Sequence, residues 1–207
     1  MLLIVAAENN IMREIWRRIE DWLEINAPES LTSLQSGAPE EELQEFENFL
    51  SVKLPEDVKE SYRIHNGQNE SLLFIDSRYF FTLEQIKSDW LNWKQMFESG
   101  DYHRESDRKD ESDLEIKSGW WNPKWISLTN DAASNQNFLD LNPAKSGHLG
   151  QIVLISHGDE KNKKLVAKSF RDWLNNFADQ LKTGKYGVAD GDLVSIQELE
   201  DEEDEDE

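Results

Sequence analysis

Residues Phe138–Leu181, FLDLNPAKSGHLGQIVLISHGDEKNKKLVAKSFRDWLNNFADQL, contain the pattern that decides the fold. Three short apolar clusters are each bounded by Asn, Pro, Gly, Asp or Lys, which predicts three strands of a meander joined by tight turns. After Lys168 the apolar residues recur at helical spacing, and Ser169 with Asp172 predicts the helix start. A sheet covered by a helix is therefore expected. The three clusters are Phe138–Leu141, Ile152–Ile155 and Leu165–Ala167.

Amphipathic helices are predicted in the first half of the chain, where apolar and aromatic residues recur every three or four positions. Their aromatic stripes are interpreted mainly as core, although the stripe after Thr82 could also be a recognition surface. The predicted helices begin after Asn9 or Asn10, at Pro39, at Pro55 and after Thr82. Further strands are predicted at Leu72–Ile75 and Ile126–Leu128, and Met1–Ala7 is expected to be a first strand or an ordered arm.

The length of 207 residues suits one domain with a substantial core. The predicted fold class is α+β, a single domain with a mixed or mostly antiparallel central sheet of about five or six strands flanked by about four or five helices. We place the domain at residues 1–190 and expect an acidic, disordered tail at residues 191–207. That tail either increases solubility or engages a basic partner.

The net charge is −21, and nine of the ten residues Glu198–Glu207 are acidic. Removing these nine charges from −21 still leaves −12. Such a field repels phosphate backbones and anionic lipid, so nucleic acid and membranes are excluded as direct ligands and a cationic protein is favoured. The chain has no cysteine and no long apolar run, which predicts a cytoplasmic protein without disulfides.

No arrangement of residues supports catalysis, a cofactor or a metal. The four histidines are scattered without a second ligand at helical spacing. Asp140 and Asn142 lack the other positions of a calcium loop, and Ser146 with His148 lacks a nucleophile elbow. We therefore predict no enzyme, with a hydrolase using His148 and Asp140 as a weak alternative.

Protein-binding residues are expected on loops. Trp120, Trp121 and Trp125 cannot all point inward from one strand, because side chains alternate between faces. Either Trp120 or Trp121 anchors an interface, or both pack over the end of the sheet. The turns at Asp140–Gly150 and His157–Lys163 are the other predicted contact surfaces. The predicted binding residues are Trp120, Trp121, Asp131, Asp140, Asn142, His148, His157 and Asp159.

Several motifs occur in the order found in one known family. D-L-N-P begins at Asp140, G-H-L-G-Q at Gly147 and V-A-K-S-F-R-D-W-L at Val166, and L-P-E-D begins earlier at Leu54. Together they resemble the SUKH superfamily, which includes fungal regulators of cell-wall glucan synthesis and bacterial toxin-immunity proteins. Asp131 matches an aspartate that this family usually has in its turn.

The resemblance and the acidity together imply a non-enzymatic binding module. Our leading hypothesis is an immunity protein that neutralises a cationic toxin, such as a basic nuclease, by covering its active site. The alternative is a regulatory or scaffold protein of cell-wall assembly and glucan synthesis. The resemblance to this family predicts the fold, but it does not predict the identity of the partner.

Overall fold

A computed structural model describes residues 2–69, 72–100, 112–131, 133–156, 163–189 and 191–196. Over these ranges the chain forms six α-helices and eight short strands. The helices are α1 (Leu2–Asn26), α2 (Pro28–Ser33), α3 (Glu40–Leu50), α4 (Glu56–Ile64), α5 (Leu83–Ser99) and α6 (Phe170–Lys182). The strands are β1 (Tyr79–Phe80), β2 (Trp125–Ser127), β3 (Thr129–Asn130), β4 (Gln136–Asp140), β5 (Gln151–Ile155), β6 (Lys164–Ala167), β7 (Tyr186–Ala189) and β8 (Asp192–Ser195).

The main sheet has four antiparallel strands in the order β2-β4-β5-β6. The meander and helix predicted in Phe138–Leu181 are confirmed as β4, β5, β6 and α6. Two small sheets, β1-β3 and β7-β8, are antiparallel as well. The α+β class with mostly antiparallel pairing is therefore confirmed, although the strands are divided among three sheets rather than joined in one.

The main sheet is covered on both faces. Neighbouring residues of a strand point to opposite sides, so each strand contributes side chains to two cores. Leu139 and Ile152, which are paired across β4 and β5, belong to the larger core with residues of α1, α4 and α6. Phe138 and Val153, the next pair, belong to a smaller core with Trp93 of α5 and other aromatic residues. The strands are thus held between two packed layers, which fixes the positions at which their connecting loops begin.

The helices bury the faces that their sequence periodicity predicts. Ile15, Trp16, Ile19 and Leu23 of α1 are all at most 4% exposed. The predicted start of α6 is also confirmed, since the Ser169 hydroxyl accepts a hydrogen bond from a backbone N–H in the first turn.

The prediction of a strand or arm at residues 1–7 is wrong. The helix α1 begins at Leu2, so Asn9 and Asn10 lie inside it rather than capping it. A short apolar run has no period that distinguishes strand from helix, and Leu, Ala and Glu all favour the helix.

The strand predicted at Leu72–Ile75 is not formed. A 3-10 turn occupies Ile75–Ser77, and both Asp76 and Ser77 have positive φ, 53° and 54°. The Asp76 carboxylate accepts hydrogen bonds from Asn137 of β4 and Trp173 of α6. These long-range contacts select the turn, and they have no signature in the local sequence.

The hairpin of β7 and β8 is absent from the sequence prediction. Leu193 of β8 is 0% exposed and joins the larger core. The packed structure therefore continues through Ser195, past the predicted boundary at residue 190, and residues 197–207 of the acidic tail lie outside the described residues.

Candidate functional site

The 141–150 loop joins β4 to β5 and is closely held by hydrogen bonds. At its base the Gly150 amide donates to the Asp140 carbonyl at 2.8 Å. In its middle the Ala144 amide donates to the carbonyl of Glu115 at 3.0 Å, which ties the loop to the segment before β2. The loop is therefore an ordered surface feature rather than a simple connection.

Asp140 lies beneath this loop and is 0% exposed. Its carboxylate accepts from Trp125 Nε1 at 3.0 Å, Gln151 Nε2 at 2.9 Å and the Asn142 amide at 2.8 Å. Burial raises the pKa of Asp140, although these hydrogen bonds and the nearby Lys117 ammonium act in the opposite direction. Asp140 thus shapes the loop from inside, and its carboxylate is not presented to a partner.

Asn142 and His148 are part of the same arrangement. The Asn142 side-chain oxygen accepts a hydrogen bond from the Lys117 ammonium. The His148 backbone amide donates to Gln151 Oε1 at 2.9 Å, and its side chain is exposed. The structure therefore brings together Asp140, Asn142 and His148, of which His148 is the exposed one.

Asp131 is not part of this group, because it precedes β4 whereas Asp140 ends it. The Asp131 carboxylate accepts from the amide and the side chain of Asn135 at 2.8 and 3.0 Å, and lies 3.5 Å from Arg78 Nε. It stabilises its own turn at the far end of the strand. His157 and Asp159 lie outside the described residues, so their predicted role stays a prediction.

Trp120 and Trp121 both pack against α5. The Trp121 ring lies 6.0 Å from that of Trp90 and 5.6 Å from that of Phe97, and Trp121 is 5% exposed. Trp120 stacks on Phe97 at 6.3 Å and also contacts Trp93, but remains partly exposed. Of the two, Trp120 has the more accessible ring, and its role as an interface anchor stays a prediction.

Lysines from three distant parts of the chain surround the 141–150 loop. The backbone carbonyl of Lys124 accepts a hydrogen bond from the Leu141 amide, and the Lys117 ammonium donates one to the Asn142 side chain. Lys145 lies in the loop itself. Lys53, from the turn after α3, lines the same groove as Lys124 and Leu149. We call this set the lysine face; it consists of Lys53, Lys117, Lys124, Lys145 and Leu149.

A groove of about 600 Å³ opens beside Lys53, Lys124 and Leu149 of the lysine face. Val52, Leu141 and Leu149 give it an apolar side. Its polar side is lined by Lys53, Lys124, Glu47, Asn48 and Ser51, and the Glu47 carboxylate is paired with Lys53. Leu149 is 68% exposed, which is unusual for a leucine in an ordered loop. The groove can thus accommodate an apolar side chain beside negatively charged groups.

Sequence reasoning found the loop but missed the lysines. Lys53 lies far in the sequence from Lys117 and Lys124, and all three belong to a strongly acidic chain, so no local run of basic residues marks them. Their proximity to the loop follows from the topology of the sheet, because pairing of β2 with β4 brings Lys124 to the start of the loop.

Neither metal chemistry nor membrane insertion gains support from the described residues. They contain no group of three or more His, Asp or Glu side chains arranged to hold a metal ion. Among the same residues, no helix combines the length and the apolar character needed to cross a membrane.

Comparison with known proteins connects this fold to a family. Residues 37–176 match the model of the SMI1 / KNR4 family (SUKH-1). The chain is 30% identical to the Neurospora crassa "Glucan synthesis regulatory protein", with 84% of this chain and 39% of that protein covered. It is 30% identical to the Schizosaccharomyces pombe "Cell wall biosynthesis/cell cycle regulator smi1", with coverage of 86% and 38%. For the Saccharomyces cerevisiae "Cell wall assembly regulator SMI1" the identity is 24%, with coverage of 84% and 41%. The chain thus spans about two fifths of the length of these curated relatives.

Proposed function

The chain belongs to the SMI1/KNR4 family (SUKH-1), and from this premise we propose that it is a protein-binding regulatory domain acting in cell-wall assembly and glucan synthesis. The relatives are named as regulators rather than as enzymes. Their names support the regulatory alternative more than toxin neutralisation. Because the chain covers only part of each relative, the activity of a whole relative is part of this proposal.

The observation that carries the proposal is the form of the 141–150 loop. The buried carboxylate of Asp140 is used to hold the loop, while Lys145, His148 and Leu149 are exposed on it. An ordered loop with exposed charged and apolar side chains suits recognition of another protein. It supplies no nucleophile and general base in contact, which a hydrolase would need.

Gene disruption in the source organism tests this function. We expect the disrupted strain to have altered cell-wall glucan content and greater sensitivity to wall-disrupting agents. Wild-type chain should restore both, whereas a chain with Lys124→Glu and Lys145→Glu, expressed at equal level, should restore them incompletely. An unchanged wall in the disrupted strain would contradict the proposal.

Toxin neutralisation stays a second candidate because of one observation, the net charge of −21. Such a charge steers an inhibitor towards a cationic enzyme. The test is co-purification with a toxin domain encoded by a neighbouring gene, together with loss of its toxicity on co-expression. If the wall is unchanged and a neighbouring toxin is bound, this candidate replaces the regulatory one.

A further inference from the structure

We propose that the lysine face is a docking site for an acidic segment of a partner protein that carries an aliphatic side chain among its carboxylates. This inference rests on the proposed function, because it states the chemistry of the partner that a regulatory domain would bind. It is drawn from the charges, the exposed leucine and the rigidity of the loop.

The charges on the lysine face are unusual for this chain. The whole protein has 43 acidic and 22 basic residues, and so repels carboxylates over most of its surface. On the face, the Lys53 ammonium is offset by Glu47 at 2.6 Å. Lys117, Lys124 and Lys145, in contrast, make no salt bridge with any carboxylate that the structure describes. Repulsion elsewhere and attraction here would direct an acidic segment to this position.

The aliphatic side chain of the partner would occupy the groove. Leu149 is 68% exposed, and it lines a volume of about 600 Å³ together with Val52 and Leu141. An aliphatic side chain placed there removes its own surface and that of Leu149 from water. The lysines select for charge, and the groove distinguishes a segment with an apolar anchor from any other polyanion.

The docking surface is preorganised, so little order has to be gained on binding. Gln151 Nε2 donates to the Glu115 carbonyl at 3.0 Å, and the Ser146 hydroxyl donates to the Leu114 carbonyl at 2.8 Å. The Ser146 bond fixes the loop that carries Lys145 and Leu149 to the segment that carries Lys117, and the Gln151 bond fixes the strand end that follows the loop to the same segment.

An acidic peptide fits better than the other anions that lysines attract. A nucleic acid or an anionic membrane presents a long array of charges, which would extend past the lysine face onto acidic surface. A short acidic segment can confine its carboxylates to the face. Residues Glu198–Glu207 of this chain have the same chemistry, so the experiment separates them from a partner in trans.

The probe is a labelled synthetic peptide of Glu and Asp with one central Leu, added to the full chain at low salt and followed by fluorescence anisotropy. Lys124→Glu with Lys145→Glu should weaken binding by about tenfold or more, and raised salt should weaken it in the wild type. The matched control is Lys182→Glu with Lys185→Glu. It changes the net charge equally on two exposed lysines, of which Lys182 ends α6 and Lys185 lies in the turn that follows it.

The apolar contact is tested in the same way. Leu149→Ser should weaken binding by about tenfold, whereas Ile25→Ser, at an 81% exposed position on α1, should leave it unchanged. Circular dichroism and thermal unfolding of each variant show that the fold is retained, which is expected because all these side chains are exposed.

Five results would overturn the inference. Four of them are equal affinity of all variants for the peptide, equal binding of a peptide with Gln and Asn in place of its acids, tighter binding of an oligonucleotide or anionic vesicle, and no binding. A chain with Glu198–Glu207 neutralised that binds about tenfold tighter than wild type would show that this segment occupies the face, which also overturns docking in trans. Peptide binding with an unchanged wall on gene disruption would leave the docking site standing and remove the proposed function.

Discussion

A partly buried carboxylate, that of Asp89, links α5 to the main sheet. It accepts hydrogen bonds from the Ser127 hydroxyl and from Gln136 Nε2, the latter at 3.0 Å. Gln136 Oε1 in turn accepts from Trp93 Nε1 at 2.8 Å. Among the described residues no basic side chain forms a salt bridge with Asp89, and burial raises its pKa.

We predict that Asp89→Asn stabilises the protein at neutral pH and alters the pH dependence of unfolding. Because the folded-state pKa of Asp89 is raised, its contribution to stability is largest at low pH and is lost as pH rises through that pKa. An amide can accept from Gln136 and donate to Ser127, so both contacts can be kept. Urea unfolding across a pH series should show an advantage of the variant that grows with pH to on the order of 1 kcal/mol.

The control for this prediction is Asp21→Asn, which changes the charge equally on the exposed side of α1. A variant at Asp89 whose stability follows the wild type in parallel at every pH would contradict the assignment. A large loss at neutral pH would show instead that the ionised carboxylate is needed by the hydrogen-bond network.

At the scale of one element, the 141–150 loop depends on the absence of a side chain at Gly147. A Cβ atom there would lie 2.3 Å from the Glu115 carbonyl oxygen and 2.8 Å from Cβ of Pro143. Since the first of these atoms is backbone, the loop and the segment before β2 would have to separate.

We therefore predict that Gly147→Ala lowers the free energy of unfolding by about 1–3 kcal/mol. It should also weaken binding of the acidic peptide, because Lys145 and Leu149 are displaced. Gly187→Ala in β7 is the control, since the nearest atom to its added Cβ is the end of the Ile196 side chain at 3.2 Å. Denaturant unfolding of both variants gives the comparison, and equal losses would show that Gly147 has no special role.

The same scale shows what sequence could predict. The helix α6 could be located because its cap and its apolar period are local, as Ser169 and Trp173 show. The turn at Asp76 could not, because Asn137 and Trp173, distant in sequence, determine its conformation. Local propensity was overridden there by tertiary contacts.

The candidate site also has a part that the sequence predicts and a part that only the structure shows. The turn motif in the sequence was enough to find the loop, its residues Asn142 and His148, and Asp140 at its base. That Asp140 is buried, and that Lys117 and Lys124 lie beside the loop, depends on strand pairing and on the neighbouring segment. A single sequence without a structure contains no direct signal for such proximity.

At the scale of the whole molecule, the charge of −21 sets a cost on folding, because compaction brings like charges together. We predict that salt stabilises the protein. The Debye length shortens from about 30 Å at an ionic strength of about 0.01 M to about 8 Å at about 0.15 M, which reduces the repulsion between charges across the molecule. The free energy of unfolding should rise by on the order of 1 kcal/mol over this range, as measured by urea unfolding.

The distribution of charge makes this prediction specific. Without the nine acidic residues of Glu198–Glu207 the remaining chain still carries −12. Replacing those nine with the matching amides should therefore reduce the salt effect without abolishing it. Sucrose, which is uncharged, serves as the control for general solvent effects, since it stabilises by exclusion and should act equally on both chains. If salt no longer stabilises the amide variant, the repulsion arises from the tail, and the body is balanced by local contacts such as those of Arg63 with Glu40 and Glu56.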